Sequence, residues 1–431
     1  MNTSTPPSQI LRRVVIAGGV RAPFCRSNTA YAELSNLDML ADTLQQLSSK
    51  FGLAGKKIDE VLAGAVTTHS KDWNLAREAV LSTDLSPATP AITLQMACGT
   101  SLQAALMSAA KIATGQIECA IAAGTDTTSD APIVFKRKFA RRLIKLGQAR
   151  TFKSRLRALK GFGVGELAPQ APANGEPRTR LSMGEHCELM AQEWGITRQE
   201  QDELTLESHL KAAAAYDAGF FDELVSAYQG VSRDNNIRAD SSLEKLAALK
   251  PAFDRKTGTL TAGNSTPLTD GAAAVLLCSE EYAHANNLPV QAYLSAGRSS
   301  AIDFVHGEGL LMAPTVAVSE ILQQNKLSLQ DFDCYEIHEA FAAQVLCTLK
   351  AWEDDAFCRD KLGLSQALGR IDRNKMNIKG GSLAFGHPFA ATGARILGSL
   401  AAMLEEQGSG RGLISVCTAG GMGVAAIVER P

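Results

Sequence analysis

Short apolar runs alternate with amphipathic segments in the first part of the chain. The apolar runs have the length of buried strands, and the segments between them repeat apolar residues every three or four positions, as helices do. The predicted strands are residues 13–19, 60–66, 91–95 and 119–123, and the predicted helices are residues 38–51 and 102–114. This alternation predicts an α/β fold with layered domains and a largely parallel sheet.

A similar order of elements recurs near the C-terminus. The second copy consists of a glycine-rich turn Gly386-His387-Pro388, a small-residue helix at 390–406, and strands at 413–416 and 424–428 with Cys417 after the first of them. The first copy carries Cys98 in the turn after its strand at 91–95. We interpret the two copies as a duplicated domain. Two like domains facing each other would bring Cys98 and His387 together.

The region between the two copies indicates an insertion in the first one. Residues 182–228 have a helical pattern, with Thr197 and Glu200 as a capping-box signature. The first copy resumes with a buried strand at 270–277, and the second begins with a strand at 290–294. The predicted division is residues 1–126 and 251–285 for the first half, 127–250 for an inserted loop domain, and 286–431 for the second half.

A basic amphipathic segment occupies residues 136–160 of the predicted insert. It contains eleven lysines and arginines and no acidic residue, and phenylalanine, leucine and isoleucine recur between them at intervals near three and four. This pattern fits a solvated surface helix. It also fits a surface that docks an α-subunit or a membrane, or a cationic rim for a polyanionic cofactor.

The composition is typical of a globular protein large enough for two or three domains. Of the 431 residues, 45% are hydrophobic and 20% are charged. The net charge of -2 gives no overall attraction to nucleic acid, so no nucleic-acid partner is predicted. No apolar run reaches the roughly 18 residues of a spanning helix. Residues 1–10 are polar, without a basic segment before a long apolar run, so no signal peptide is predicted.

The cysteines favour a reducing compartment. There are nine of them, an odd number without the spacing of a disulfide framework, which predicts reduced thiols and a cytoplasmic protein. Neither a CxxC pair nor a Cys/His ligand pair occurs, so no metal site is predicted. Reduced thiols are available for chemistry.

Cys98 is the first candidate for that chemistry. It follows an apolar strand and precedes a helix, so its sulfur is predicted near the unpaired amides and the positive end of that helix. This environment favours the thiolate. A free cysteine is also one of the most commonly buried residues, so a small hydrophobic role is the alternative for Cys98 taken alone.

His387 and Cys417 are the other two candidates. His387 lies between glycine and proline, which fix its backbone, and an imidazole next to Cys98 would accept the thiol proton. Cys417 is followed by glycines with open amides, a setting suited to an oxyanion and to a second thiol that carries a proton. Each residue alone is also compatible with a structural role.

Five groups of residues together resemble the thiolase family in order and spacing. They are Cys98-Gly99-Thr100-Ser101, Thr261-Ala262-Gly263-Asn264 with Asp270-Gly271-Ala272-Ala273, His338-Glu339-Ala340-Phe341, Gly380-Gly381-Ser382 with Gly386-His387-Pro388, and Cys417-Thr418-Ala419-Gly420-Gly421-Met422-Gly423. The resemblance covers nearly the whole chain, from residue 14 to residue 429. It implies a five-layered αβαβα fold of two duplicated halves with an inserted loop domain.

The resemblance also implies a reaction and a role for each site residue. Thiolases cleave 3-oxoacyl-CoA with CoA in fatty acid β-oxidation, or catalyse the reverse Claisen condensation. By resemblance, Cys98 is the nucleophile, His387 activates it and helps to bind the thioester oxygen, and Cys417 is the acid/base at the α-carbon. The amides of Cys98 and Ala419 would hold the acyl-enzyme oxyanion, and Thr266 would lie next to the pantetheine. CoA and acyl-CoA are then substrates, and no permanently bound cofactor is expected.

Departures from the common thiolase pattern resemble one branch of the family. His338 stands where most thiolases have Asn, a position that holds a catalytic water in the family and where an imidazole can still do so. Ser265-Thr266-Pro267 replaces the more common Ala-Ser-Gly, and Phe389-Ala390 follows the histidine turn. With the long basic insert, these features resemble the β-subunit of the fatty-acid oxidation trifunctional complex. The family implies a homodimer or a homotetramer.

Three alternative functions are compatible with parts of this pattern. An acetyl-CoA C-acetyltransferase that makes acetoacetyl-CoA would use the same residues, and cleavage rates on acetoacetyl-CoA and on a long-chain 3-oxoacyl-CoA would separate the two. A ketoacyl synthase shares the duplicated fold but is expected to carry two histidines rather than Cys417. A non-catalytic lipid carrier or scaffold would lack one of Cys98, His387 and Cys417, and all three are present.

Overall fold

A computed structural model describes residues 11–431, so the prediction about a signal peptide falls on residues 1–10 and lies outside the described residues. The strands are β1 (Val14–Arg21), β2 (Cys25–Arg26), β3 (Glu60–Gly64), β4 (Ala91–Thr93), β5 (Cys119–Asp126), β6 (Val134–Phe135), β7 (Pro169–Gln170), β8 (Thr269–Ser279), β9 (Ala292–Ala301), β10 (Cys334–Ile337), β11 (Gly410–Thr418) and β12 (Met422–Arg430). The α-helices are α1 (Asn36–Phe51), α2 (Leu75–Leu81), α3 (Thr100–Ala113), α4 (Arg137–Gln148), α5 (Phe152–Leu159), α6 (Met183–Glu193), α7 (Arg198–Asp217), α8 (Leu243–Ala247), α9 (Glu280–Ala285), α10 (Ala313–Asn325), α11 (Ala342–Glu353), α12 (Asp355–Leu362), α13 (Ser382–Phe385) and α14 (Thr392–Gln407). None of these helices is long and apolar enough to cross a membrane.

A ten-stranded mixed sheet runs through both halves of the chain. Its strands pair in the order β10-β11-β12-β9-β1-β8-β5-β3-β4, and β2 pairs with β8. β3 is parallel to β4 and β5, and β10 is parallel to β11. The prediction of a largely parallel sheet is wrong for the first half, because β8 returns from the insert and lies antiparallel between β1 and β5.

Three layers of helices alternate with two layers of strands, which are the parts of the sheet that belong to the two halves and join where β1 pairs with β9. On the outer face of the first half, α1 and α2 pack on the strands, and Leu40, Val61 and Leu276 share one buried cluster. Between the halves, α3 and α14 pack together, and Leu102 and Leu397 belong to a central cluster. On the far side of the second half, α10 packs on β9 and β12, with α11 beside it. This is the predicted five-layered αβαβα fold with duplicated halves.

The side chains of β1 show how the layers are held together. Val15 and Ala17 belong to the outer cluster, whereas Val14 and Ile16 belong to the central cluster. Successive side chains of a strand point to opposite faces, so β1 presents apolar groups to both helical layers. All eight of its residues are buried. Each fully buried valine or isoleucine contributes roughly 1.5–3 kcal/mol to stability.

Most element boundaries lie within a few residues of those predicted. α3 begins at Thr100 instead of residue 102, because the Thr100 hydroxyl accepts a hydrogen bond from the Met96 amide and donates to the Ala97 carbonyl. These two bonds close the turn in front of the helix. Thr197 and Glu200 form the predicted capping box of α7.

The basic segment forms two exposed helices, α4 and α5, instead of a single one. Neither helix contains a buried residue. Arg142 joins them, because it donates to three carbonyl oxygens at the end of α5 and pairs with Glu166, just beyond the segment. Lys138 also pairs with Glu166. The positive charge is therefore partly neutralised by a carboxylate that lies outside residues 136–160.

Candidate active site

Cys98 lies in the tight turn between β4 and α3. The preceding residue, Ala97, has a φ of 45°, in the left-handed region that non-glycine residues rarely adopt. Thr100 holds this turn through its hydrogen bonds to both sides. At Gly99 a Cβ atom would lie 2.8 Å from Thr418 Cγ2, so the absence of a side chain lets the turn approach β11. The nucleophile candidate therefore faces the second half of the chain.

His387 lies in a loop of the second half that the first half holds in place. Asp126, at the end of β5, accepts a hydrogen bond from the Ala390 amide at 2.9 Å. At Gly124 a Cβ atom would lie 2.0 Å from the Ala390 oxygen, so this close approach requires glycine. The duplicated halves therefore meet at the histidine loop, as the sequence predicted.

The cysteine and the histidine form a direct contact. His387 Nε2 lies 3.0 Å from Cys98 Sγ, and His387 Nδ1 lies 2.6 Å from Thr392 Oγ1. The Thr392 hydroxyl can accept a hydrogen bond from Nδ1–H, which leaves the Nε2 lone pair free to accept the proton of the thiol. The geometry is that of a cysteine nucleophile and its base.

Burial favours the neutral forms of both the thiol and the imidazole. Burial raises the pKa of the Cys98 thiol to about 12, although the backbone amides of Ala419 and of Cys98 itself oppose the shift. Burial, and then the charge of Arg395, lower the pKa of His387 to about 3. The amides act in the predicted direction, but the loss of solvent around the sulfur is the larger effect.

His338 stands beside this pair at the end of β10. Its ring centroid lies 4.2 Å from that of His387, and its Nδ1 lies 2.9 Å from Ser382 Oγ. Its Nε2 is buried and has no hydrogen-bond partner within residues 11–431. Burial, followed by the neighbouring His387 and Arg395, lowers the pKa of His338 well below its usual value, so the ring is neutral.

Cys98, His338 and His387 form a compact trio. The sulfur and the imidazole nitrogens concerned all lie within 4.8 Å of one another. A cysteine and two histidines are also ligands that Zn²⁺ prefers. The sequence did not indicate this cluster, because its three residues come from different parts of the chain.

Cys417 lies near the end of β11, and only 1% of its surface is exposed. Burial raises the pKa of its thiol well above the usual value, and the nearby Cys98 adds to the shift. In the turn that follows, the Ala419 amide approaches the Cys98 sulfur. Glu176, from the insert, accepts a hydrogen bond from the Gly420 amide at 2.8 Å. The two predicted thiols are therefore neighbours, and the insert contacts their shared site.

Thr266 lies in the segment before β8, at the edge of the site. Its amide and its hydroxyl each donate to the Ala340 carbonyl at 3.1 Å. Ala340 belongs to the loop that follows His338, so Thr266 is attached to the loop of the site histidine. Thr266 is partly exposed and lies outside the trio.

Two buried ionisable residues next to the trio were not predicted from the sequence. Arg395 and Glu336 are each 3% exposed, and Arg395 Nη1 lies 3.8 Å from Glu336 Oε2. Arg395 Nη2 donates to Ser382 Oγ at 2.7 Å. The sequence did contain a signal for the buried arginine, because Arg395 is the one charged residue among the small and apolar residues 390–404.

Two domain families match nearly the whole chain. Residues 14–281 match the thiolase N-terminal domain, and residues 289–430 match the thiolase C-terminal domain. A 3-ketoacyl-CoA thiolase of Yersinia enterocolitica is 43% identical over 423 residues, which cover 97% of this chain and 97% of the relative. A 3-ketoacyl-CoA thiolase of Yersinia pestis is 42% identical with the same coverage.

Solved structures of thiolases have the same fold. An acetyl-CoA acetyltransferase of Bacillus anthracis has a TM-score of 0.81 and 30% identity, over 98% of this chain and 100% of that one. A human mitochondrial 3-ketoacyl-CoA thiolase has a TM-score of 0.81 and 26% identity, over 97% of this chain and 99% of that one. The same human enzyme is also known in complex with CoA. With both halves matched and both candidate cysteines facing each other across them, the chain belongs to the thiolase family.

Proposed function

We propose that the chain catalyses the cleavage of 3-oxoacyl-CoA by CoA, which yields acetyl-CoA and a shortened acyl-CoA. It is an acetyl-CoA C-acyltransferase of fatty acid β-oxidation, like its 3-ketoacyl-CoA thiolase relatives. The observation that carries the proposal is the 3.0 Å contact between His387 Nε2 and Cys98 Sγ. A second thiol, Cys417, lies beside that contact.

The first half of the reaction forms an acyl-enzyme. Cys98 Sγ attacks the 3-oxo carbonyl carbon while His387 Nε2 takes the thiol proton. Because burial favours the neutral forms of both groups, the proton moves as the sulfur–carbon bond forms. The bond between the α- and β-carbons then breaks, and Cys417 gives its proton to the α-carbon of the departing acetyl-CoA. The acyl group stays on Cys98 as a thioester.

The second half transfers the acyl group to CoA. The Cys417 thiolate takes the proton of the CoA thiol, whose sulfur attacks the thioester carbon. The Cys98 sulfur leaves and regains its proton from His387. The amides of Cys98 and Ala419 stabilise the acyl-enzyme oxyanion, and His387 with His338 stabilises the thioester oxygen of the acetyl-CoA unit, directly or through a water. CoA is a substrate, and no permanently bound cofactor takes part.

Within the family, we propose a type similar to the β-subunit of the trifunctional complex. His338 replaces the usual Asn. Its Nδ1 is hydrogen-bonded to Ser382 Oγ, so the buried ring has a polar partner on that side. Thr266 lies next to the His338 loop, where it would contact the pantetheine. The exposed helices α4 and α5 extend the insert, as in that branch of the family.

Substrate preference tests the proposed function. We expect kcat/KM to be higher for a long-chain 3-oxoacyl-CoA than for acetoacetyl-CoA, and condensation of acetyl-CoA to be slow. CoA-dependent loss of each 3-oxoacyl-CoA measures these rates. Fast condensation, with cleavage confined to acetoacetyl-CoA, would instead identify an acetyl-CoA C-acetyltransferase, the activity named for the similar Bacillus anthracis structure.

A homodimer, or a homotetramer made of two dimers, is the proposed assembly. β4 forms the edge of the ten-stranded sheet, and Ile92 on this strand is 45% exposed. Trp73, which lines a cleft together with Thr93, is 90% exposed. An open strand edge with apolar neighbours is a surface that a second copy can cover by strand pairing.

The basic hairpin, defined as α4 and α5, is the proposed docking surface. Its cations line a cleft of about 840 Å³, while Ile144, Phe152 and Leu156 are 60%, 77% and 55% exposed. An anionic membrane fits both features, because apolar side chains enter the interface and each nearby cation contributes on the order of 1 kcal/mol. We therefore propose membrane contact, with an acidic α-subunit as the alternative partner.

Charge removal on the basic hairpin tests this contact. The variant carries Arg137→Gln, Arg141→Gln and Lys145→Gln, three exposed cations of α4. Arg142 is kept, because it holds the two helices together. We expect weaker co-sedimentation with phosphatidylglycerol vesicles, a smaller effect of salt on the binding that remains, and an unchanged kcat on acetoacetyl-CoA.

A charge-matched control distinguishes local from overall electrostatics. It carries Lys56→Gln, Lys57→Gln and Lys71→Gln, three exposed cations of the first half. The control should bind vesicles like the wild type. Unaltered vesicle binding by the α4 variant, together with a raised KM for CoA, would assign the hairpin to CoA binding. Loss of binding to an acidic α-subunit alone would assign it to that partner.

The domain boundaries and the cytoplasmic localisation stay predictions. Pairing of β8 with β1 and β5 supports assigning residues 251–285 to the first half, with 127–250 as the insert. All nine cysteines are free thiols, which supports a reducing compartment.

A further inference from the structure

A chain of buried side chains lies behind His338 and takes no part in the reaction described above. Arg395 Nη2, on α14, donates to Ser382 Oγ at 2.7 Å. Ser382 Oγ lies 2.9 Å from His338 Nδ1. Glu336 Oε2 lies 3.8 Å from Arg395 Nη1, and burial raises the pKa of this carboxyl to about 8, against the effect of the Arg395 charge. All four residues are at most 3% exposed, so water does not compete for these contacts.

The direction of each hydrogen bond follows from the chemistry of the groups. A guanidinium can only donate, so Arg395 occupies a lone pair of the Ser382 oxygen. The Ser382 hydroxyl has one hydrogen, and among residues 11–431 the acceptor within its reach is His338 Nδ1. The hydroxyl therefore donates to Nδ1, since any other orientation would leave a buried donor unpaired.

We propose that Ser382 and Arg395 are positioning residues that hold His338 as the tautomer with its proton on Nε2. The significance of this tautomer rests on the proposed function, because the His338 ring belongs to the trio with Cys98 and His387 and its centroid lies 4.2 Å from that of His387. A neutral imidazole has one N–H group, so an occupied Nδ1 lone pair leaves Nε2 as a hydrogen-bond donor. Within residues 11–431 Nε2 has no hydrogen-bond partner, so it is available to an oxygen of the substrate or to a water.

In this arrangement the Nε2 atoms of the two histidines have opposite hydrogen-bonding roles. His387 Nε2 accepts the proton of Cys98, because Thr392 occupies its Nδ1 side. His338 Nε2–H donates, so it stabilises negative charge on oxygen and does not compete for the thiol proton. The hydrogen bond from the positively charged Arg395 polarises the Ser382 hydroxyl, which strengthens its donation to His338 Nδ1 and so favours the tautomer with the proton on Nε2.

Ser382→Ala tests the proposal, because it removes the donor to His338 Nδ1 and leaves the trio in place. We expect kcat for thiolysis to fall on the order of a hundredfold, as for other losses of an oxyanion donor, while KM for CoA changes little. Nitrogen-15 NMR of the histidine rings reports the tautomer directly. The wild type should show the His338 proton on Nε2, and Ser382→Ala should lose this pattern.

Three further variants support the assignment. Ser382→Thr keeps the hydroxyl and should restore the Nε2–H pattern and most of the rate. His338→Asn identifies the His338 signals by their disappearance. Ser108→Ala removes another buried serine, on α3, whose hydroxyl has no partner within residues 11–431, and should leave both rate and spectrum unchanged.

A His338 proton on Nδ1 in the wild type would overturn the proposal, and this measurement does not require a stable Ser382→Ala protein. The same follows if Ser382→Ala keeps either the wild-type kcat or the Nε2–H pattern. Failure of the proposed function is a different result: the wild type would then not cleave 3-oxoacyl-CoA, whatever tautomer His338 adopts.

Discussion

Cys98→Ala is expected to lower the rate of thiolysis by about 10⁴-fold or more. The variant lacks the sulfur that carries the acyl group, so mass spectrometry after mixing with an acyl-CoA should show no acyl-enzyme. The fold should persist, because Cys98 lies in a turn, is partly exposed, and is replaced by a smaller residue. CoA-dependent loss of acetoacetyl-CoA measures the effect.

Alkylation of the wild type gives the complementary measurement. Eight of the nine cysteines are buried and Cys98 is partly exposed, so iodoacetamide should label Cys98 first and an acyl-CoA should protect it. Burial raises the pKa of this thiol from 9.0 to about 12. The reactive thiolate therefore forms at higher pH than usual, and the labelling rate should continue to rise above pH 9.0 instead of levelling off there.

Cys358→Ala is the matched control for the nucleophile. Cys358 is buried on α12 and forms hydrogen bonds to the carbonyls of Ala351 and Trp352, outside the trio. This variant should keep its activity and its sensitivity to iodoacetamide. Preferential labelling of Cys25 or Cys358 with loss of activity would contradict the role of Cys98.

The site thiols and His387 could be predicted because their signals are local. Cys98 lies in a turn with one glycine, and His387 and Cys417 each adjoin a glycine-rich turn, in every case next to a predicted element. The repeated order of those elements was enough to predict that Cys98 and His387 meet. The structure places Cys98 Sγ and His387 Nε2 3.0 Å apart.

The protonation of the pair could not be predicted from the same turn. A helix terminus next to Cys98 can be deduced from the sequence, but the solvent that the second half excludes cannot. The Ser382–Arg395 contact likewise joins α13 to α14 and becomes visible only in three dimensions. A lone arginine in a small-residue helix marks a buried charge, but it does not identify its partner.

The position of β8 in the sheet and the contacts within the basic hairpin could not be predicted from the sequence either. β8 follows the insert along the chain, and its sequence does not reveal that it enters the sheet antiparallel between β1 and β5. Arg142 looks like any other cation of the hairpin in the sequence. Its contacts with α5 and with Glu166 make it a structural residue, and they decide which cations a charge variant can remove.

Cys417→Ser should separate the roles of the two thiols. The variant should still form an acyl-enzyme on Cys98 from acetyl-CoA, because that step uses His387 as the base. Thiolysis should fall by roughly 10²–10⁴-fold, the usual contribution of a general acid–base group. A serine hydroxyl is a far weaker acid than a thiol, so it cannot give a proton to carbon at a comparable rate.

Exchange of the acetyl α-hydrogens with deuterated water measures the lost step directly. The wild type should exchange them, since Cys417 returns and removes protons at the α-carbon, whereas Cys417→Ser should not. Ser415→Ala is the matched control, because Ser415 is buried on the same strand and its hydroxyl has no partner within residues 11–431. Exchange at the wild-type rate in Cys417→Ser would remove Cys417 from the mechanism. Loss of both exchange and the acyl-enzyme would show instead that the substitution disturbs the Cys98 turn, which packs against the end of β11.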